Sequence, residues 1–127
     1  MKISASTICW ACDDRYSALR KAAEAGFEAV EMIKGAGGVA CCAHPAKIKN
    51  DKLLEELIFH GMCAIEVYHP DHGRAGARFY RKFAQKHSLI VTGGSDSHCL
   101  DSAHYMKVGE ICIDCSSVEE LRKASGW

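Results

Sequence analysis

Short apolar runs alternate with amphipathic segments along this chain, and the alternation limits the folds it can adopt. The apolar runs are about four to seven residues long, which suits strands buried on both faces. A run of this kind is too short to form a full helix. We therefore predict strands over the following segments: Lys2–Ile8, Val39–Ala43, Met62–Tyr68, Leu89–Thr92 and Val108–Ile113.

The amphipathic segments carry apolar side chains at helical spacing. Helices are predicted over residues 13–25, from a cap at Asn50, over Arg74–His87, and from a capping box of Ser117 and Glu120. Because strands and helices alternate, we expect an α/β fold with mainly parallel strands joined by crossover helices.

Composition excludes several functional classes. The chain has 127 residues, 48% of them hydrophobic, and we expect a single domain. Lys and Arg number 16 and Asp and Glu also 16, so a dedicated nucleic-acid surface is not expected. No apolar run approaches the roughly 18 residues of a membrane span. The N-terminus lacks a signal-peptide pattern, and we expect a cytoplasmic protein.

Polar residues follow three of the predicted strands at the point where each strand ends. They are His44-Pro45, then Glu66-Val67-Tyr68-His69-Pro70, and then Gly93-Gly94-Ser95-Asp96-Ser97-His98. Ligand sites of α/β folds gather at the carboxyl ends of parallel strands. Pro45 is expected to hold His44 extended. Imidazole and carboxylate are ligands of divalent metals such as zinc, so His44, Asp96 and His98 are candidate metal ligands.

Simpler interpretations exist for each motif alone. A histidine before proline is often a loop residue, and Ser-Asp-Ser-His is compatible with a turn. Eight cysteines also offer a rival site, because Cys9-x-x-Cys12 and Cys112-x-x-Cys115 have the pair spacing of a structural zinc module. The two pairs lie far apart in the sequence, which is unusual for such a module.

Taken in order, the three strand-end motifs resemble the PHP domain (polymerase and histidinol phosphatase), in particular its small metal-dependent phosphoesterases. The resemblance covers residues 28–127, whereas residues 1–27 match poorly. It implies a partial or distorted (β/α) barrel that holds divalent zinc, manganese or iron. It also implies hydrolysis of phosphate esters, nucleotides among them, by a metal-activated water.

The resemblance assigns roles by position. His44, Asp96 and His98 match metal ligands of the family, and Lys47 matches a basic residue that contacts phosphate. Apart from the resemblance, Ser95 is expected to bind substrate, and His69 or His72 to protonate the leaving oxygen or to supply a further metal ligand. Glu66 would alternate away from His69 on a regular strand.

The family opens with a His-x-His pair, whereas no histidine precedes His44 in this chain. A full barrel needs about 200 residues. We therefore expect a PHP-like domain that is truncated or diverged at its N-terminus. One alternative is an inactive remnant that binds metal or a partner, and another is the four-cysteine zinc module. Exposed sheet edges would favour a homo-oligomer.

Overall fold

A computed structural model describes residues 30–97 and 109–125. Residues 30–35 are helical and precede the first strand. The strands are β1 (Cys41–Cys42), β2 (Ala64–Tyr68) and β3 (Ile90–Gly93), and the α-helices are α1 (Asp51–Phe59), α2 (Gly73–His87) and α3 (Cys115–Ala124). Two short 3₁₀ turns, Pro45–Lys47 and Pro70–His72, follow β1 and β2.

The three strands form one parallel sheet in the order β1-β2-β3. Parallel neighbours require a crossover connection, and α1 and α2 provide the two crossovers. The α/β class predicted from the alternating pattern is therefore confirmed. Because the strands run in the same direction, the segments that follow them emerge at the same edge of the sheet.

The helices form where local chemistry favours them. The Asn50 side chain caps α1 by accepting a hydrogen bond from the Leu53 N–H at 3.3 Å, as the sequence predicts. Leu54 is the buried residue of this helix. Helix α2 buries Tyr80, Phe83 and Ala84, which join the fully buried Ile65 and Val67 of β2 in one core. Burial of this apolar face holds α2 against the sheet.

The region before α3 differs from the prediction. Residues 109–113 form a turn followed by irregular chain. The prediction of a fourth strand is therefore wrong for these residues. Gly109 has a φ of 97°, which turns the chain away from an extended path. Asp114 caps α3 by accepting from the Ser116 N–H at 2.9 Å. Ser117, the predicted cap, is buried inside the helix instead.

The predicted strand at Lys2–Ile8 and the predicted helix over residues 13–25 lie outside the described residues. Among the helices of residues 30–97 and 109–125, none is both long enough and apolar enough to cross a membrane.

Strands β2 and β3 change register where they approach the polar edge. Glu66 pairs with Thr92, but Tyr68 pairs with the next residue, Gly93. A Cβ placed on Gly93 would lie 2.8 Å from both Cβ and O of Tyr68, and 2.9 Å from Cγ2 of Ile113. Only glycine allows this close approach, so Gly93 sets the spacing of the two strands at the shift.

We expect Gly93→Ala to lower the free energy of unfolding by about 1–3 kcal/mol, because the added methyl meets backbone and core atoms that cannot yield freely. Gly94→Ala is the matched control, since its Cβ would lie 3.6 Å from Oε1 of Glu66, an ordinary contact. Urea denaturation of both variants measures the difference. Equal stability of the two variants would contradict the claim that only glycine fits between β3 and Tyr68.

Candidate metal centre

The residues that follow the three parallel strands converge at one edge of the sheet. Nε2 of His44, after β1, lies 3.8 Å from Oδ1 of Asp96, after β3. Nε2 of His69, after β2, lies 3.3 Å from Oδ2 of the same carboxylate. The sheet therefore brings together three residues that are separated in the sequence by 25 residues or more.

Glu66 belongs to the same cluster. One ligand atom from each of His44, Glu66 and His69 can be chosen so that all three lie within 4.8 Å of one another. The expectation that Glu66 turns away from His69 is therefore wrong. Regular alternation fails here because the register shift between Glu66 and Tyr68 interrupts the pairing with β3.

The backbone of His44 is left-handed, with φ 35° and ψ 57°, and not extended as Pro45 had led us to expect. Such a conformation costs a non-glycine residue about 1–2 kcal/mol. The His44 N–H donates to Oε2 of Glu66 at 2.7 Å, and a hydrogen bond to a carboxylate is among the stronger kinds. Glu66 thus stabilises the strained turn that aims His44 into the cluster.

Only 2% of the His69 side chain is exposed, and its two ring nitrogens have different environments. Nδ1 accepts a hydrogen bond from the Asp71 N–H at 3.1 Å. A neutral ring therefore carries its proton on Nε2. Nε2 is buried and makes no hydrogen bond within the described part of the chain, although it faces the Asp96 carboxylate.

A second histidine packs behind His69. The His72 ring lies 5.3 Å from the His69 ring and 4.9 Å from that of Tyr80. His72 is buried, and its Nδ1 donates to the Val67 carbonyl at 2.8 Å. It is not part of the His44–Glu66–His69 cluster. His72 thus packs against the His69 ring from behind and is not brought to the cluster as a ligand.

The predicted substrate-binding residues lie around this cluster. Nζ of Lys47 is 3.4 Å from Oδ2 of Asp71 and 3.9 Å from Oδ2 of Asp96. About half of the Lys47 side chain is exposed, so the amine can turn toward a ligand. Ser95 is half-buried next to Asp96, and its hydroxyl makes no hydrogen bond to another described residue. His98 lies outside the described residues.

The donor set fits a divalent metal ion. Two atoms bound to one ion at about 2.0–2.2 Å can be at most about 4.4 Å apart. The separation of 3.8 Å between Nε2 of His44 and Oδ1 of Asp96 meets this limit, and the ligand atoms of His44, Glu66 and His69, all within 4.8 Å of one another, lie at or near it. Glu66 and Asp96 are two partly buried carboxylates, and burial of negative charge is costly unless positive charge lies nearby. A divalent ion between them would supply more positive charge than the single, exposed amine of Lys47.

The cysteines have a different environment. All five that the structure describes are free, and Cys112 and Cys115 are exposed. Burial raises the pKa of the Cys42 thiol to about 12, so this group is protonated and a poor metal ligand. No cysteine among the described residues belongs to a potential metal cluster. Cys9 and Cys12 lie outside those residues, and the four-cysteine module stays an untested alternative.

Comparison with known proteins gives partial matches. The chain is 38% identical over 71 residues to a phosphoribosyl 1,2-cyclic phosphate 1,2-diphosphodiesterase of Eggerthella lenta. It is 36% identical over 76 residues to a 3′,5′-nucleoside bisphosphate phosphatase of Chromobacterium violaceum. Each match covers 56% of this chain but only 27% of the relative. No family model matches the chain.

A solved structure from Bifidobacterium adolescentis, assigned as a metal-dependent phosphoesterase, superimposes with a TM-score of 0.69 at 30% identity. The likeness covers 78% of this chain and 36% of that one. Together, the matches confirm the resemblance to PHP-type metal-dependent phosphoesterases, of which this chain covers a part. The chain spans about a quarter of the length of the curated relatives.

We expect Glu66→Gln to weaken binding of Mn²⁺ or Zn²⁺ by about 10- to 100-fold, because the cluster loses a negative charge. Glutamine keeps an oxygen that can accept from the His44 N–H, so the metal-free stability should change little. Titration calorimetry and denaturation of the same variant separate the two effects. Unchanged metal affinity would show that Glu66 only supports the His44 turn.

Proposed function

We propose that this chain forms part of a metal-dependent hydrolase of small phosphate esters, nucleotides among them. The observation that carries the proposal is the convergence of His44, Glu66, His69 and Asp96 at the carboxyl edge of the parallel sheet. The names of the two curated relatives support it, because both describe cleavage of phosphate esters. Both named substrates carry two phosphate groups, and we propose the same substrate class here.

His44, Glu66 and Asp96 would hold the metal, with His98 as a further ligand. Zinc, manganese and iron all suit a set of imidazole and carboxylate donors. When bound, such an ion polarises a phosphoryl oxygen and lowers the pKa of a coordinated water. The protein's part is to fix the donors, and the Glu66 hydrogen bond to the His44 backbone does so.

His69 would act as the proton donor to the leaving oxygen. Proton donation requires the imidazolium form of His69, in which Nε2 faces Oδ2 of Asp96 at 3.3 Å and Nδ1 lies 3.9 Å from Oδ2 of Asp71. Nε2 would give its proton to the leaving oxygen, and the ring would become neutral with the remaining proton on Nδ1. Asp96 lies close enough to stabilise positive charge on this ring and to orient it. Because His69 is almost fully buried, its proton is directed into the site rather than to bulk water.

Lys47 and Ser95 would bind the phosphoryl group that is hydrolysed. The Lys47 amine is held near the centre by Asp71 and Asp96, and its exposed side chain leaves it free to follow a bound phosphate. The Ser95 hydroxyl is a donor available beside Asp96. Positive charge and hydrogen-bond donors at this point stabilise the charge that develops on the phosphoryl oxygens.

We also propose a reducing compartment, the cytoplasm, because the five described cysteines are free and three of them are exposed: Cys41, Cys112 and Cys115. Homo-oligomer formation through the sheet edges stays a prediction.

We expect Asp96→Asn to abolish phosphate-ester hydrolysis in the presence of Mn²⁺ or Zn²⁺, because it removes charge from the metal ligands and from the partner of His69. Treatment of the wild type with EDTA should also abolish hydrolysis by removing the metal. Adding metal back should restore hydrolysis in the wild type but not in Asp96→Asn. Release of inorganic phosphate measures both. Activity that survives in the variant, or in EDTA, would contradict the proposal.

We expect His69→Gln to keep the bound metal but to lower kcat by about 10²–10⁴ for substrates with a poor leaving group. The loss should shrink for p-nitrophenyl phosphate, whose leaving group needs no proton. Metal analysis together with rates on both substrates tests the role. Loss of the metal, or an equal loss of rate on both substrates, would identify His69 as a ligand instead of an acid.

A further inference from the structure

A groove of about 500 Å³ adjoins the metal centre and runs along one face of α2. His69 belongs both to the cluster and to the groove wall, so the two are contiguous. Three arginines of α2 also line the groove: Arg74, Arg78 and Arg81. A groove of this size is comparable with those that bind small molecules.

The three arginines share one helix face, because they are spaced four and three residues apart. Like charges at these spacings repel and destabilise a helix in the absence of a counter-ion. Within residues 30–97 and 109–125, none of the three lies at ion-pair distance from a carboxylate, Glu110 of the groove wall included. By contrast, Lys86 of the same helix pairs with Glu55 at 3.4 Å.

We propose that Arg74, Arg78 and Arg81 bind a second phosphate group of the substrate, one that is not hydrolysed. The inference rests on the proposed function and extends it from the reacting phosphate to the rest of the substrate. The planar guanidinium group matches the geometry of phosphate oxygens and can donate two hydrogen bonds at once. Three such groups in one groove would recognise a doubly phosphorylated ester over a singly phosphorylated one.

The geometry gives the two phosphates different surroundings. At the centre, Glu66 and Asp96 are acidic and require a metal ion before an anion can approach. Along α2 the wall is basic, and its arginines can hold a phosphate directly. A substrate that spans the groove therefore has one phosphate at the metal and the other on the arginines, and its orientation is fixed by this difference in charge.

The test compares a nucleoside 3′,5′-bisphosphate with the matching nucleoside 3′-monophosphate. We expect Arg74→Gln/Arg78→Gln to lower the ratio of kcat/KM for the bisphosphate over that for the monophosphate by about tenfold or more, since hydrogen bonds to a charged group are lost. Lys82→Gln is the matched control, because Lys82 is an exposed cation of the same helix that does not line the groove. It should keep the wild-type ratio.

An unchanged ratio in the double variant, or an equal fall in Lys82→Gln, would overturn the inference. If the wild type hydrolyses neither compound, the proposed function fails, and binding decides the inference by itself. Titration calorimetry with the bisphosphate in the presence of Mn²⁺ should then show a Kd about tenfold higher in the double variant and unchanged in Lys82→Gln. Equal Kd values in the double variant and the wild type would overturn it.

Discussion

The hydrogen bond from the His44 N–H to the Glu66 carboxylate holds the functional edge of this protein together. It joins the turn after β1 to the central strand β2, and it stabilises a left-handed backbone that His44 would otherwise avoid. The 3₁₀ turn that follows His44 carries Lys47, so the position of this cation depends on the same bond. A single carboxylate therefore organises both a candidate ligand and a candidate phosphate contact.

The shift in register between β2 and β3 lies directly after Glu66, on the stretch of chain that leads to His69. Gly93 allows β3 to lie against Tyr68 more closely than any side chain would permit. The shift interrupts the regular alternation of β2, and it brings Glu66 and His69 to the same cluster. The packing of Gly93 thus links the core of the sheet to the part of the chain that carries the candidate metal ligands.

Much of the fold and part of the site could be predicted from the sequence. Apolar runs and the Asn50 cap depend on local composition, so the parallel sheet, α1 and α2 were predictable. The convergence of His44, His69 and Asp96 followed from the rule that parallel strands end at one edge. Glu66 could not be found in this way, because its orientation depends on a contact between distant residues. The cap of α3 was missed for a local reason: Asp114 and Ser117 are both candidate caps by residue type, and it is the Asp114 side chain that accepts from the Ser116 N–H.

We infer that His44, Glu66 and Asp96 bind one divalent ion at the carboxyl edge of the sheet. Anomalous diffraction from crystals grown with Mn²⁺ tests it most directly, because the metal is then located without any assumption about activity. We expect a single strong peak within bonding distance of His44, Glu66 and Asp96. A metal found at Cys112 and Cys115, or no peak at the sheet edge, would contradict it.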